Sequence, residues 1–269
     1  MLSLFPNGFP VIDPIALEIG PLVIRWYSLA YVAGFFGGWG VGHALVRRSN
    51  EPKPTTTQVD DFLIWAVLAV ILGGRIGYIL FYNLGYYLEN PAAMLKTWEG
   101  GMSFHGGLLG VVIAVLVYSF KHKIPPLRLG DLAACGATVG LFFGRIANFI
   151  NGELYGRVTE SRFGMVFPDG GPLPRHPSQL YEALTEGLLL FIILTGLAWF
   201  KPSIQSKHGF LFGLFLTGYG ICRFFIEFAR EPDVQIGLYY NMISQGQLLC
   251  MPMIVIGIFL MYRANKKAA

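Results

Sequence analysis

Charged residues are scarce in this sequence. Only 13% of its 269 residues are Asp, Glu, Lys or Arg, whereas 54% are hydrophobic and the mean hydropathy is +0.54. A soluble domain carries about 25% charged residues, because its surface must face water. The deficit excludes an ordinary water-soluble fold and indicates a chain that exposes most of its surface to lipid.

Metal-ligand and disulfide patterns are also missing from the sequence. Cys135, Cys222 and Cys250 lie in apolar stretches at unrelated spacings, which makes neither a metal motif nor a disulfide framework. We therefore predict packing roles for the cysteines and expect no metal or other cofactor. The net charge of +4 is explained by membrane topology, so nucleic acid is not expected as a partner.

Long apolar segments are abundant. They run for roughly 18–25 residues, the length that crosses a hydrocarbon core of about 30 Å. They lack the period-two alternation of transmembrane strands, which favours helices. We predict an all-α polytopic membrane protein, a single domain over residues 1–269. Its seven predicted spans are 22–46, 60–82, 104–121, 130–150, 178–200, 208–229 and 243–263.

The distribution of lysine and arginine predicts the orientation of these spans. If the N-terminus is outside, eleven of the twenty basic residues fall in inner loops and six on the outer side. The remaining three, Arg75, Arg145 and Arg223, lie within spans. Because inner loops carry the excess of positive charge, we predict the N-terminus outside and the C-terminus inside.

The three arginines inside the spans are functional candidates, because a charge in the bilayer is costly. On the predicted topology all three lie roughly 9–10 Å below the outer helix ends, at 1.5 Å of rise per residue. A guanidinium can donate two hydrogen bonds to a phosphate. We predict a positive pocket for an anionic phospholipid head group. The alternative, that arginines pair with carboxylates only to hold helices together, stays open, above all for Arg75.

Other polar residues fall at or above this predicted depth. Tyr27 lies near the outer start of the first span, and His105 opens the third. Asn148 follows Arg145 by one turn, and Glu153 lies just past that span. A pocket at this level would therefore contain hydrogen-bond donors and a possible base as well as cations.

The fifth and sixth spans add charged residues. The fifth begins with Glu182 and Glu186, which we expect to pair with some of the arginines. The sixth carries polar residues at intervals that predict one shared helical face, namely Tyr219, Arg223, Glu227 and Arg230.

Residues 144–156, with the sequence GRIANFINGELYG, closely resemble the signature of the bacterial prolipoprotein diacylglyceryl transferases. Further stretches resemble that family in the same order along the chain. They are WY at 26–27, GGRIGY at 73–78, HGGL at 105–108, RHPSQLYE at 175–182, and Tyr219-Gly220 with Arg223, Glu227 and Arg230.

The resemblance implies a seven-span enzyme of the bacterial inner (cytoplasmic) membrane. Its active site would face the periplasmic leaflet, with a small periplasmic head mainly at 151–177, a periplasmic N-terminus and a cytoplasmic C-terminus. The implied reaction moves the diacylglyceryl group of phosphatidylglycerol to the lipobox cysteine of a prolipoprotein signal peptide. It forms a thioether and releases glycerol phosphate, the first step of lipoprotein maturation.

With this reaction in view, we assign roles to the candidate residues. Arg145 and Arg223 would bind the phosphate and, with His105, make up the catalytic set. His105 is the candidate base for the thiol, because an ordinary histidine titrates near neutrality. Two alternatives stay open: His105 only orients lipid or caps its span, and Glu153 is the base or holds an arginine. Asn148, Tyr219 and Tyr27 would contact the head group, and supporting roles go to Glu153, Gly156, Glu227, Arg230 and Arg75.

Two other functions would also place cations in a membrane. A transporter or scramblase for an anionic lipid should show polar groups at several depths, whereas those of this sequence gather toward the outer side. A non-catalytic assembly factor would leave His105, Asn148 and Glu153 without a task.

Overall fold

The computed structural model describes residues 8–10, 12–231, 238–239 and 243–268. Six of the helices in these residues are long and apolar enough to cross a membrane, and a seventh apolar helix is shorter. The prediction of an all-α polytopic membrane protein is confirmed. The helices are α1 Trp26–Arg48, α2 Thr56–Tyr82, α3 Leu84–Glu89, α4 Phe104–His122, α5 Pro126–Ile150, α6 Ser178–Glu182, α7 Leu190–Phe200, α8 Phe210–Ile226 and α9 Gln245–Ala268.

Two small hairpins accompany the helices. Strands β1 Ile15–Ile19 and β2 Leu22–Arg25 pair antiparallel, and β2 leads directly into α1. The predicted first span, 22–46, therefore began too early. Gly20 has φ +58° and turns the chain, so that the residues from Leu22 onward return beside β1 before the helix begins. The second hairpin pairs β3 Leu238–Tyr239 with β4 Ile243–Ser244.

The fifth predicted span is a single helix with a change of winding. α6 continues through a π-helical segment, Ala183–Leu189, into α7, so that the whole helix covers Ser178–Phe200. Single π-turns inside helices frequently occur at functional sites. Glu182 directly precedes this segment and Glu186 lies in its middle, and both are fully buried.

α8 is shorter than the predicted span 208–229. Its seventeen residues begin after Gly209, whose φ is +94°, and end at Ile226. Beyond it the backbone pairs with residues 156–157: the Ala229 carbonyl accepts the Arg157 N–H at 2.9 Å, and Gly156 forms a β-bridge with Arg230. These backbone bonds compete with continued helical bonds and end the helix.

The chain divides into two compact units, residues 1–50 with 131–269, and residues 51–130. Close helix contacts in each are made by glycine, whose lack of a side chain lets helix backbones approach. In the larger unit Gly38 of α1 lies against Gly136 of α5, where an added Cβ would be 3.2 Å from the Gly136 carbonyl oxygen. In the smaller unit Gly77 of α2 lies against Gly106 of α4, where an added Cβ would be 2.7 Å from the Gly106 Cα.

Residues 151–177 form a compact segment with its own small core. Phe9, Met165 and Phe167 are buried together, and Tyr155 packs against them. β-Bridges connect Arg175 to Val158 and Met165. The bridge between Gly156 and Arg230 links this segment to the residues that follow α8, and its assignment as a head stays a prediction.

Candidate active site

Three arginine side chains converge on the carboxylate of Glu182. Arg145 Nε lies 2.6 Å from Oε2, whereas Arg223 Nη1 and Arg230 Nη1 lie 2.9 and 3.1 Å from Oε1. Glu182 is 0% exposed, so all three contacts are made away from water. One carboxylate on α6 thus joins α5, α8 and the residues after α8, and the expected pairing of Glu182 with the arginines is confirmed.

Glu186 lies one turn after Glu182 and is also fully buried. Its oxygens are 3.8 Å from Arg145 Nη2 and 3.9 Å from Arg223 Nη1. Neither Glu186 oxygen accepts a hydrogen bond from the residues that the structure describes. The same is true of Glu182 Oε2, because its close contact with Arg145 is an ion pair that lacks hydrogen-bond alignment. Buried polar atoms of this kind are uncommon and costly, so the site is only partly satisfied by its own side chains.

Glu227, the next residue after α8, is the third carboxylate. Its Oε1 lies 2.5 Å from Arg223 Nη2, and the Ser244 hydroxyl donates to its Oε2 at 2.6 Å. Ser244 in turn accepts the Gln247 N–H at 3.1 Å and thereby caps α9. An added Cβ at Gly246 would lie 2.6 Å from the Glu227 carboxylate, so the start of α9 closes directly over this group.

Arg145, Arg223 and Arg230 with Glu182, Glu186 and Glu227 are called the arginine cluster below. Its three cations face three carboxylates, because a cation buried in a membrane protein needs a nearby anion. The prediction of a pocket with an excess of positive charge is therefore wrong. The side chains of Arg145 and Arg223 are nevertheless 18% and 14% exposed. The terminal nitrogens of Arg145 make no hydrogen bond to the described residues, which leaves N–H donors for an anionic ligand.

Asn148 lies one turn beyond Arg145 on α5 and is buried. Its amide donates to Glu153 Oε1 at 2.7 Å, and Asn151 approaches the same oxygen at 3.4 Å. The Glu153 backbone carbonyl accepts the Gln179 amide at 2.6 Å. Among the described residues Glu153 forms no ion pair with an arginine, so the suggestion that it holds one is wrong. Its carboxylate orients Asn148 instead.

The two predicted tyrosines belong to the same unit. Tyr219 lies one turn before Arg223 on α8 and packs beside Phe215. Tyr27 lies in the first turn of α1 with its ring 5.3 Å from that of Tyr31, and it is 37% exposed. Tyr219 is thus one helical turn from a member of the arginine cluster, whereas Tyr27 lies at the start of α1.

Gly156 is required by close packing. Its N–H donates to the His176 carbonyl at 2.8 Å, and a Cβ there would collide with the Ala229 carbonyl oxygen. Gly156 thus holds the turn that presents Arg230 to Glu182. His176 Nδ1 lies 3.2 Å from the Tyr181 hydroxyl, and burial lowers the pKa of this histidine.

Arg75 has a different environment from the one expected. Its guanidinium, in the unit 51–130, donates five hydrogen bonds of 2.6–3.1 Å to backbone carbonyls of the segment 93–101, which we call the carbonyl loop. Its Cζ lies 5.0 Å from the centre of the Tyr87 ring. The supporting role that the sequence suggests for Arg75 stays a prediction, and these contacts are of the kind that hold a backbone segment in place. The acceptors are the carbonyls of Ala93, Met94, Lys96, Gly100 and Gly101.

His105 lies in the first turn of α4, in the same unit as Arg75, and its side chain is exposed. Ser103 caps this helix by accepting the Gly106 N–H at 3.2 Å. The structure therefore brings the predicted residues together in two groups, one around the arginine cluster and one around Arg75 and His105.

Five contributing residues had no assigned role in the sequence-based site. Glu182 and Glu186 were expected only as possible partners of cations, although their i, i+4 spacing in an apolar span was a usable signal. Gln179 lies in the RHPSQLYE stretch. Ser244 and Gln247 form a capping pair at the start of the last span, which sequence patterns identify as a helix start but not as part of a site.

Comparisons with known proteins identify the family of this chain. The family model described as prolipoprotein diacylglyceryl transferase matches residues 14–263. A phosphatidylglycerol–prolipoprotein diacylglyceryl transferase of Azospirillum brasilense is 53% identical over 264 residues, covering 97% of this chain and 98% of that protein. A protein of the same name from Rhodospirillum rubrum is 52% identical, and the match covers 98% of this chain and 96% of that protein. Another from Brucella anthropi is 48% identical, and the match covers 97% of this chain and 95% of that protein. The chain belongs to the prolipoprotein diacylglyceryl transferase family.

Proposed function

We propose that this chain transfers the diacylglyceryl group of phosphatidylglycerol to the lipobox cysteine thiol of prolipoproteins. The products are a thioether and glycerol phosphate, and the reaction is the first step of lipoprotein maturation. The observation that carries the proposal is the convergence of Arg145, Arg223 and Arg230 on Glu182 in a chain of this family.

The reaction needs positive charge where the leaving group develops negative charge. The substrate sulfur forms a bond to a glycerol carbon, the carbon–oxygen bond to phosphate breaks, and the phosphodiester monoanion becomes a monoester with additional charge. Guanidinium donors fixed around that phosphate stabilise the transition state more than the ground state. In this proposal Arg145 and Arg223 supply those donors.

The carboxylates keep the arginines in place before lipid binds. Glu182 holds the three guanidiniums within one site, and Glu227 holds Arg223 from the other side. The phosphate of an incoming lipid can accept the same guanidinium hydrogen bonds as a carboxylate. It can therefore replace a carboxylate as the partner of an arginine, and the arginine loses no further water in the exchange. Asn148, Tyr219 and Tyr27 would complete the head-group contacts.

We assign the thiol proton to His105, whose imidazole is exposed at the start of α4. A base within hydrogen-bond reach of the thiol would generate the thiolate that attacks the lipid. Glu153 is the alternative base. The two amide contacts to its Oε1 favour a role in positioning Asn148.

The proposed setting is the bacterial inner membrane. The site would face the periplasmic leaflet, with residues 151–177 as the periplasmic head, the N-terminus in the periplasm and the C-terminus in the cytoplasm. The distribution of basic residues along the sequence supports this orientation. The lipobox peptide and phosphatidylglycerol would then reach the site from the same leaflet.

The test is transfer of labelled glycerolipid from phosphatidylglycerol vesicles to a synthetic lipobox peptide by the purified protein. The Arg145→Ala variant should lose transfer, because it removes a phosphate donor. Arg162→Ala is the matched control, since Arg162 is an exposed arginine of residues 151–177 that lies over the Phe163 ring. Full activity of Arg145→Ala would refute the phosphate site. Absence of transfer by folded unmodified protein would refute the function.

A further inference from the structure

We infer that Arg75 is the positioning residue for His105: its guanidinium holds the carbonyl loop that delivers the chain into the first turn of α4. The inference rests on the proposed function, because it explains how the assigned base is kept in place. It concerns only residues of the unit 51–130.

The carbonyl loop has little regular backbone structure of its own. It contains the end of one short 3-10 turn, Pro91–Leu95, and a second such turn, Thr97–Glu99, followed by Gly100 and Gly101 at φ +90° and +79°. Arg75 supplies donors to five of its carbonyl groups and is itself 5% exposed. A single side chain thus replaces the hydrogen-bond ladder that a helix or strand would provide.

Helix packing fixes the other side of the same turn. An added Cβ at Gly77 would lie 2.7 Å from the Gly106 Cα, and one at Gly73 would collide with the Gly106 carbonyl oxygen. Gly73 and Gly77 flank Arg75 by two residues on each side. The turn of α2 that carries Arg75 therefore also touches the residue immediately after His105.

Two further hydrogen bonds connect the loop to this turn. The Ser103 N–H donates to the Gly74 carbonyl at 2.9 Å, and the Ser103 hydroxyl accepts the Gly106 N–H at 3.2 Å. His105 lies between these anchored positions. Its backbone is held from both sides, while its side chain remains exposed for a substrate thiol.

Positioning of a base matters because proton transfer requires hydrogen-bond distance. A displacement of about 1 Å can cost on the order of a hundredfold in rate. Lysine at position 75 would keep the charge but present one ammonium in place of a planar fork, so it cannot reach five carbonyls in the arginine geometry. The carbonyl loop would then shift, and His105 with it.

The experiment measures transfer by Arg75→Lys in phosphatidylglycerol vesicles at several pH values. At neutral pH we expect kcat to fall roughly tenfold to a hundredfold, with KM for lipid changed less than about twofold. Because a free thiol ionises near pH 8.5, raising the pH supplies thiolate without a base. The deficit of Arg75→Lys should therefore shrink as the pH rises, and His105→Gln should show the same rescue.

Arg48→Lys is the matched control. Arg48 also donates to a backbone carbonyl, that of Trp199, and lies over the Trp199 ring, but it belongs to the other unit. It should retain the kcat and pH profile of the unmodified protein. In the Arg75→Lys/His105→Gln double variant the rate should be no lower than in His105→Gln, because the two changes remove one function.

Two outcomes would overturn the inference while leaving the proposed function intact. One is a loss of kcat in Arg75→Lys that does not change with pH, and the other is a double variant whose rate is lower than that of His105→Gln. Absence of transfer by the unmodified protein would instead refute the proposed function. If Arg75→Lys does not fold, Gly101→Ala tests the same contact, because its Cβ would lie 2.8 Å from Arg75 Nη1. Gly101→Ala should give a smaller loss with the same rescue at high pH, and a loss without rescue would contradict the inference.

Discussion

Arginine is buried in two different ways in this molecule. Among the residues that the structure describes, Arg75, in the unit 51–130, donates only to neutral backbone carbonyls, and all three of its nitrogens are used. Arg145 and Arg223, in the larger unit, contact carboxylates and keep 18% and 14% of their side chains exposed. The same residue type in the same kind of apolar helix has thus been given two different sets of partners.

The comparison teaches that burial alone does not identify a functional cation. Carbonyl groups that surround a guanidinium satisfy its donors and leave little for a ligand. Carboxylates cancel charge, but they can be exchanged for another anion of similar geometry, such as a phosphate. The partner type, more than the depth in the membrane, therefore separates a structural arginine from a ligand-binding one.

Replacing Arg223 by lysine should give the largest effect on catalysis and tests this distinction most directly. Loss of the planar fork from the proposed phosphate site should reduce kcat by about a hundredfold to a thousandfold, as for other charge-stabilising donors. Inhibition by added glycerol phosphate should weaken as well. Arg75→Lys should leave that inhibition unchanged. Equal effects of both variants on product inhibition would contradict the distinction between a structural arginine and a ligand-binding one.

Removing the shared counter-charge should have the largest effect on stability. Glu182→Gln leaves three arginines facing two carboxylates, and breaking a buried ion pair costs about 3–5 kcal/mol. Thermal unfolding in detergent should show a marked fall in Tm. Glu231→Gln is the matched control, because Glu231 pairs with Arg175 while 46% of its side chain is exposed. That change should cost about 0–1 kcal/mol. Similar Tm values for both variants would contradict the central role of Glu182.

A smaller effect is expected at the start of α9. Ser244→Ala removes the hydroxyl that donates to Glu227, and a hydrogen bond to a charged group contributes about 1.5–3 kcal/mol. The free energy of unfolding should fall by that amount, and KM for lipid should rise, since Glu227 holds Arg223. Ser161→Ala, at an exposed site in residues 151–177, provides the control. An unchanged KM in Ser244→Ala would show that Glu227 needs no support from α9.

The smallest effect concerns His176, because burial of its imidazole disfavours the protonated, charged form. Burial lowers its pKa below the ordinary 6.5, so the unfolded chain binds a proton more readily than the folded one. Its contribution to stability is complete above pH 6.5 and is lost as the pH falls below that value. The fall in Tm on acidification should be shallower in His176→Gln. An identical pH dependence in both proteins would exclude this contribution.

Much of the fold follows from local sequence patterns. Apolar runs of membrane-crossing length predicted the helices, because such runs depend only on residues that are near in sequence. The same patterns failed where backbone bonds come from distant residues. α8 stops at Ile226 because Ala229 and Arg230 pair with residues 156–157, and the first helix starts at Trp26 because a hairpin precedes it.

The sequence by itself determined which residues are candidates for the chemistry: the intramembrane arginines, Asn148, the tyrosines and His105, each recognisable as a polar group placed at a cost in an apolar segment. Only the tertiary structure decided their partners. Arg145 meets Glu182 on another helix, Arg75 meets carbonyl groups up to 26 residues away, and Glu227 meets Ser244 at the start of α9. Residue type sets what an arginine can donate, whereas the packing of distant segments sets which acceptors surround it, and that choice separates a binding site from a structural anchor.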